Sequence, residues 1–247
     1  MLYSTNEFRF LEANLKQLSK ISDEIIITIC SHFYSGEPEN KELLQKSFDI
    51  ISNYDKCIIK LFKWENSNIK PRYYHNLSRK LGTDIAKNKW LFFVDADEIV
   101  DDNFKDWFET VKNTDNAYVL TCAWYFRDPR YKAKSRETDS LLILKKDCHW
   151  DLDNELERSQ LYQKLWEENR IFHGDKSPLL GLDGEVLSHH YSWVRSKEEM
   201  LRKVRNWGHK DDKNWHELVE QEFNRDFNGT DFIHNYEYEI VENKFEI

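Results

Sequence analysis

Three carboxylates stand within four positions at Asp95, Asp97 and Glu98, directly after the apolar run 90–94 of the stretch NKWLFFVDADEIVDD. Like charges this close repel one another. They form either an acidic loop in water or a site for a cation. Two carboxylates one residue apart at the end of a buried strand both reach the small volume just past the sheet. A hard divalent cation with oxygen ligands neutralises them there. Mg²⁺ or Mn²⁺ takes one or two protein carboxylates and fills its other positions with phosphate oxygens and water. The pair therefore suits a metal–diphosphate rather than a cage for a metal alone. D-x-D by itself is a weak signal, and its place between an apolar strand and Ile99-Val100 strengthens it.

The elements that must position this pair are legible upstream. Phe8, Leu11, Leu15 and Leu18 recur at steps of three and four, the spacing of an amphipathic helix, with Ser4 and Glu7 placed for a capping box. Residues 24–30 (EIIITIC) read as a buried strand. Leu44, Phe48 and Ile51 mark a second helix and 56–62 a second strand; Leu77, Leu81 and Ile85 share a face of a third helix before the strand 90–95. Helix and strand thus alternate three times, which predicts an α/β fold with a mixed, mainly parallel sheet flanked by helices. Ligands of such sheets bind beyond the carboxyl ends of the strands. Asp95 to Glu98 stand at such an end.

The second half differs. Residues 117–124 (AYVLTCAW) and 140–144 (SLLIL) read as strands separated by a charged loop, 127–139, and add mixed or antiparallel pairing. Residues 153–169 read as a polar helix. A last clear helix follows Ser196, with Glu199 in capping-box position and Met200, Val204 and Trp207 on one face. With 7 Gly and 4 Pro and no linker-like tract, the chain reads as one domain, 1–247.

Composition removes several classes of function. Aromatic residues make up 15% of the 247, too many for a disordered chain. The net charge of −9 argues against general nucleic-acid binding. No apolar run reaches membrane-spanning length, and the N-terminal residues lack signal-peptide blocks, so the expected location is cytoplasmic. Cys30, Cys57, Cys122 and Cys148 form no C-x-x-C pair and read as reduced thiols. Arg195, Lys197, Arg202, Lys203, Arg205 and Lys210 read as a solvated helix face. The alternative for this cluster is contact with phosphate on an acceptor or with a membrane surface, peripherally.

The segment NLSRKLGTDIAKNKWLFFVDADEIV resembles the central block of family 2-type glycosyltransferases with the GT-A fold. Arg79, Gly82, Ala86, Asp95 and Asp97 fill the family's places, while Lys80 stands where Asn is usual. Upstream, STNEFRFLEANLKQLSKISDEIIITI is similar to the family's opening, although the first strand is nearly absent and CSHFYSG replaces an acidic residue used on the nucleotide base. Downstream, LLILKKDCHWD and LSHHYSWVRSKEEMLRK look like the branch that builds lipopolysaccharide-core and related glycans, including viral ones.

The resemblance implies a Rossmann-like GT-A fold with a nucleotide-sugar half at about 1–125, and an acceptor half with C-terminal helices at about 126–247. It implies an inverting, metal-dependent transfer of sugar from a nucleoside diphosphate sugar, UDP-linked by preference, to an oligosaccharide or lipid-linked acceptor. Thr5, Asn6, Glu7, Arg79, Asp95 and Ala96 would contact the nucleotide. Asp97, Asp95 and His190 would hold Mn²⁺ or Mg²⁺, with His189 on the opposite strand face. Asp151, Asp153 and Asp175 are the candidates for the base that takes the acceptor's proton. Two other readings stand beside this one. One is a nucleotide- or carbohydrate-binding module without turnover. The other is a phosphatase using Asp95 as nucleophile, which the mid-chain position of the motif disfavours.

Overall fold

The computed structural model describes residues 1–63, 71–146 and 165–247. The alternation read upstream of the acidic pair becomes α1 (Phe8–Ile21), β2 (Ile25–Cys30), α2 (Lys41–Ile51), β3 (Cys57–Phe62), α3 (Pro71–Ile85) and β4 (Trp90–Phe93). A two-residue strand, β1 (Leu2–Tyr3), precedes them and runs parallel to β2, which runs parallel to β3. Leu2 also bridges Asp95 in parallel, and its N–H donates to Val94 O at 3.3 Å. The short first strand thereby joins the parallel sheet to the strand end that carries the D-x-D.

A second, larger sheet holds β5 (Glu98–Val100), β6 (Ala117–Phe126), β7 (Asp128–Lys145), β8 (Ile171–His173), β9 (Ser188–Trp193) and β10 (Tyr238–Ile240). Its order is β10–β7–β6–β9–β5, with β4 beside the end of β7 and β8 beside β6. β6 runs parallel to β8 and β9 and antiparallel to β7. The helices α4 (Phe104–Val111), α5 (Lys197–Asn206) and α6 (Trp215–Phe223) complete the set described. The fold class expected from the sequence, mixed α/β with flanking helices and a helical C-terminal part, is the one found.

Burial explains the upstream pattern. Leu11, Leu15 and Leu18 of α1 meet Ile25, Ile27 and Ile29 of β2 and Val94 in one core. Each fully buried aliphatic side chain there contributes roughly 1.5–3 kcal/mol. A second core gathers Trp124, Trp193, Met200, Val204, Trp215 and Val219 and fastens α5 and α6 to the sheet. Cys30, Cys57 and Cys122 are unbridged thiols, as expected; Cys148 lies outside the described residues. No helix among the described residues is long and apolar enough to cross a membrane.

Three local expectations are corrected. The charged stretch 127–139 is not a loop, because β7 runs unbroken through it. Its backbone pairs with β6 on one side and β10 on the other, and ladder hydrogen bonds are indifferent to the side-chain charge. Arg127, at φ 62°, supplies the tight reversal between β6 and β7. Ser4 and Glu7 form no capping box; Thr5–Glu7 is a 3-10 turn, and the Glu7 carboxylate turns to Arg195 and Lys203 instead. Trp207 lies just past α5 in extended backbone. The polar helix expected at 153–169 falls mostly outside the described residues.

Candidate active site

The D-x-D turn is built from three directions. Asp95 N–H donates to Glu98 Oε2 at 2.7 Å, so the third acid closes the turn on itself. Asn14 of α1 donates to the carbonyls of Asp95, Ala96 and Glu98 at 3.3, 3.1 and 2.7 Å. From the far side β9 pairs antiparallel with β5, setting His190 opposite Glu98, and Tyr191 N–H donates to Asp97 O at 2.8 Å. The strand β5, too short to announce itself in the sequence, is what carries the HHYSW segment to the acidic pair.

The two aspartates have cationic partners. Asp95 binds Arg79 of α3 through both oxygens, at 3.0 and 3.3 Å. Asp97 is buried and receives Lys203 Nζ at 2.9 Å, with Arg195 at 3.5 Å and His190 Nε2 at 3.8 Å. Burial by itself raises the Asp97 pKa. Lys203, the His190 ring and Arg195 outweigh it and hold the carboxyl well below the usual carboxylate range. Glu7 pairs with both Arg195 and Lys203. Lys203 also donates to Ser192 Oγ at 2.7 Å, and the fully buried Arg195 stacks over Phe10, 4.9 Å from its ring centre.

The basic cluster read as a solvated face is therefore divided. Lys197 bonds Glu220 and Asn224 near the surface, whereas Arg195 and Lys203 turn inward to the D-x-D. One signal pointed to Lys203. It stands three residues after Met200 and beside Val204, on the helix face that carries the buried side chains.

A cavity of about 910 Å³ opens at this point. Asn6, Glu7, Arg79, Asp95, Ala96, Asp97 and His190 line one part of it, together with Lys203. Phe33, Tyr34, Tyr74, Trp124, Trp207 and His234 also line it, and Ser35, next to Tyr34, bonds Asn206, next to Trp207, at 2.5 Å. These aromatic side chains carried no motif in the sequence. His190 packs edge-on against Trp124, which packs edge-on against His234, with centroids 4.7 and 4.8 Å apart.

The other sequence candidates fall elsewhere. Thr5 is buried and bonded to the Glu39 carboxylate, and it is not among the lining residues. Asp175 is largely exposed, accepts from Thr138 Oγ1 at 2.6 Å, stands beside His173 and is not among the lining residues. Asp151 and Asp153 lie outside the described residues. His189 faces the opposite side from its neighbour. Its ring joins Asp101 at 2.7 Å and Tyr125 at 2.8 Å. Burial there lowers its pKa, against the pull of Asp101.

Asp97 and His190 fit the divalent cation that the motif suggests. Their facing atoms, Oδ1 and Nε2, stand 3.8 Å apart. Two donors sharing one ion at about 2.1 Å each stand about 3.0–4.2 Å apart. No group of three or more His, Cys, Asp or Glu side chains converges among the described residues. Among the described residues Asp97 and His190 thus offer two donors, the number that suits an ion completed by phosphate oxygens, while Asp95, the third ligand the resemblance implies, is bound to Arg79.

No family model and no curated protein matches the chain. Among solved structures it is similar to S. aureus TarS 1-349, at 12% identity and a TM-score of 0.44, over 82% of this chain and 61% of that one. It is also similar to the inositol-1-phosphate CTP transferase from T. maritima, at 10% identity and a TM-score of 0.43, over 78% of this chain and 80% of that one. The chain thus spans less than two thirds of the TarS structure's length.

Proposed function

We propose that this protein is a glycosyltransferase that moves a sugar from a nucleoside diphosphate sugar to a glycan or lipid-linked acceptor. The observation that carries the reading is the D-x-D turn set in the wall of a 910 Å³ cavity between ionic and aromatic surfaces. That volume lies within the usual range for small-molecule sites, about 300–1,000 Å³. The donor's base would lie against Phe33, Tyr34 and Tyr74, its ribose near Asp95 and Asn6, and its diphosphate beside Asp97, Arg79 and Lys203. The acceptor would enter past Trp207, whose half-buried ring lines the cavity and suits a sugar ring.

In the reaction the bond between the sugar's C1 and the diphosphate breaks as the acceptor oxygen attacks C1 from the opposite face, inverting it. Negative charge grows on the departing diphosphate, and Arg79 and Lys203 are placed to stabilise it. Asp97 and His190 would hold a Mn²⁺ or Mg²⁺, which would supply Lewis-acid neutralisation of the leaving diphosphate. The acceptor's proton passes to a carboxylate, with Asp151 and Asp153 as the candidates. The test is a panel of nucleotide sugars incubated with the protein and Mn²⁺, read by release of free nucleoside diphosphate. Release from one donor, lost in Asp97→Ala, supports the reading. Binding without release from any donor, with or without added oligosaccharides, would make the protein a binding module.

A further inference from the structure

Asp97 is expected to hold a divalent cation, yet it sits among cations of the chain itself. Lys203 and Arg195 reach Oδ2 at 2.9 and 3.5 Å, and the Lys203 ammonium also approaches Glu7 at 3.5 Å. Asp95 is matched by Arg79 at 3.0 Å. The three carboxylates Glu7, Asp95 and Asp97 thus face three basic side chains, Arg79, Arg195 and Lys203. Apart from Asp95 and Glu7, which are partly exposed, these side chains are largely shielded from solvent, where opposite charges act at higher strength than in water.

This balance changes what each ligand meets. In a bare D-x-D site the carboxylates repel a diphosphate until a divalent cation cancels them. Here Lys203, Arg195 and Arg79 have already cancelled them. A free divalent cation meets the reverse situation: neutralised carboxylates with an ammonium and two guanidinium groups beside them. Asp97 Oδ1, which faces the His190 ring at 3.8 Å, is the carboxylate oxygen turned toward a second donor, and the incoming phosphate oxygens offset the repulsion.

We infer that Lys203 and Arg195 are the resident counter-charge of the site, so that a nucleoside diphosphate binds before a divalent cation and without it, and the cation joins only the nucleotide-loaded protein. The inference rests on the reading of the cavity as a nucleotide-sugar site. It makes Lys203 a diphosphate-facing residue and places the cation after the nucleotide in the order of binding.

The test is calorimetric and thermal-shift titration of the whole chain with MnCl₂ alone, with UDP in EDTA, and with UDP plus MnCl₂, repeated with CDP, GDP and dTDP. The expected result is binding of one nucleotide in EDTA, no shift with MnCl₂ alone, and tighter binding with both. Lys203→Met should weaken nucleotide binding in EDTA at least tenfold, recover much of it with MnCl₂, and bind Mn²⁺ without nucleotide, since Asp97 is then released. Lys203→Arg should keep binding in EDTA. A wild-type protein that binds a nucleotide only with MnCl₂, or that is stabilised by MnCl₂ alone, overturns this inference while leaving the proposed function standing. No binding of any nucleotide in either condition overturns both. The wild-type arms decide the matter even if Lys203→Met fails to fold.

Discussion

Asp95, Asp97 and Glu98 each have a separate partner: a guanidinium on α3, cations from the β9–α5 region, and a backbone N–H of their own turn. Crowded acids are tolerable here because none relies on solvent alone for its neutralisation. Glu39 shows the opposite situation. It is buried, one oxygen accepts from Thr5, and the other has no hydrogen-bond partner. Burial, helped by nearby Glu7, pushes its pKa up to about 7, against the Thr5 hydrogen bonds that favour the ion. A carboxyl raised in this way holds its proton more tightly folded than unfolded. Its contribution to stability is full below the unfolded pKa near 4.5 and is lost as pH rises to about 7. The loss amounts to about 3 kcal/mol. Glu39→Gln should therefore be more stable than wild type by an amount of that order at pH 8, with the gap closing below pH ~4.5. Urea unfolding across pH measures it, and a constant gap across that range would show that Glu39 does not titrate in the folded protein.

At the scale of elements, α5 carries Lys203 into the site. Its N-terminus is fixed by the capping box, in which Glu199 N–H donates to Ser196 Oγ at 3.2 Å and Ser196 N–H to Glu199 Oε2 at 2.8 Å. Glu199 is also held by Arg9 of α1 at 2.7 Å. Met200 and Val204 then seat the helix in the aromatic core, which brings Lys203 to Asp97. Ser196→Ala removes one half of the cap and should lower stability by about 1 kcal/mol, seen as a lower urea midpoint with an unchanged slope. Because Glu199 keeps its bond to Arg9 and the apolar seat is intact, UDP affinity should hardly move. A large loss of affinity would mean that the cap, rather than the core, sets the position of Lys203.

At the scale of the whole molecule, the sheet decides which distant acids meet the cavity. Asp175 follows β8, which pairs with the opening residues of β6, whereas His190 pairs with Trp124 near the other end of that strand. Asp175→Asn should leave sugar transfer close to wild type and change stability by less than about 0.5 kcal/mol. Of Asp151→Asn and Asp153→Asn, the one that removes the base should slow transfer about 10²–10⁴-fold while UDP still binds. Turnover assays beside UDP titrations distinguish these outcomes, and loss of transfer in Asp175→Asn would overturn its placement outside the reaction. The sequence by itself determined the helix–strand alternation and the carboxyl-end position of the D-x-D. Both follow from local periodicity and from the limited reach of a strand end. It also determined that only one of His189 and His190 faces the site, since neighbouring strand residues point to opposite faces. Tertiary structure alone decided that 127–139 is a strand, that Glu7 turns to Arg195 rather than capping a helix, and that Lys203 neutralises Asp97. Those outcomes depend on partners up to 188 residues away along the chain; helix periodicity turns Lys203 inward, but nothing local names Asp97 as its partner.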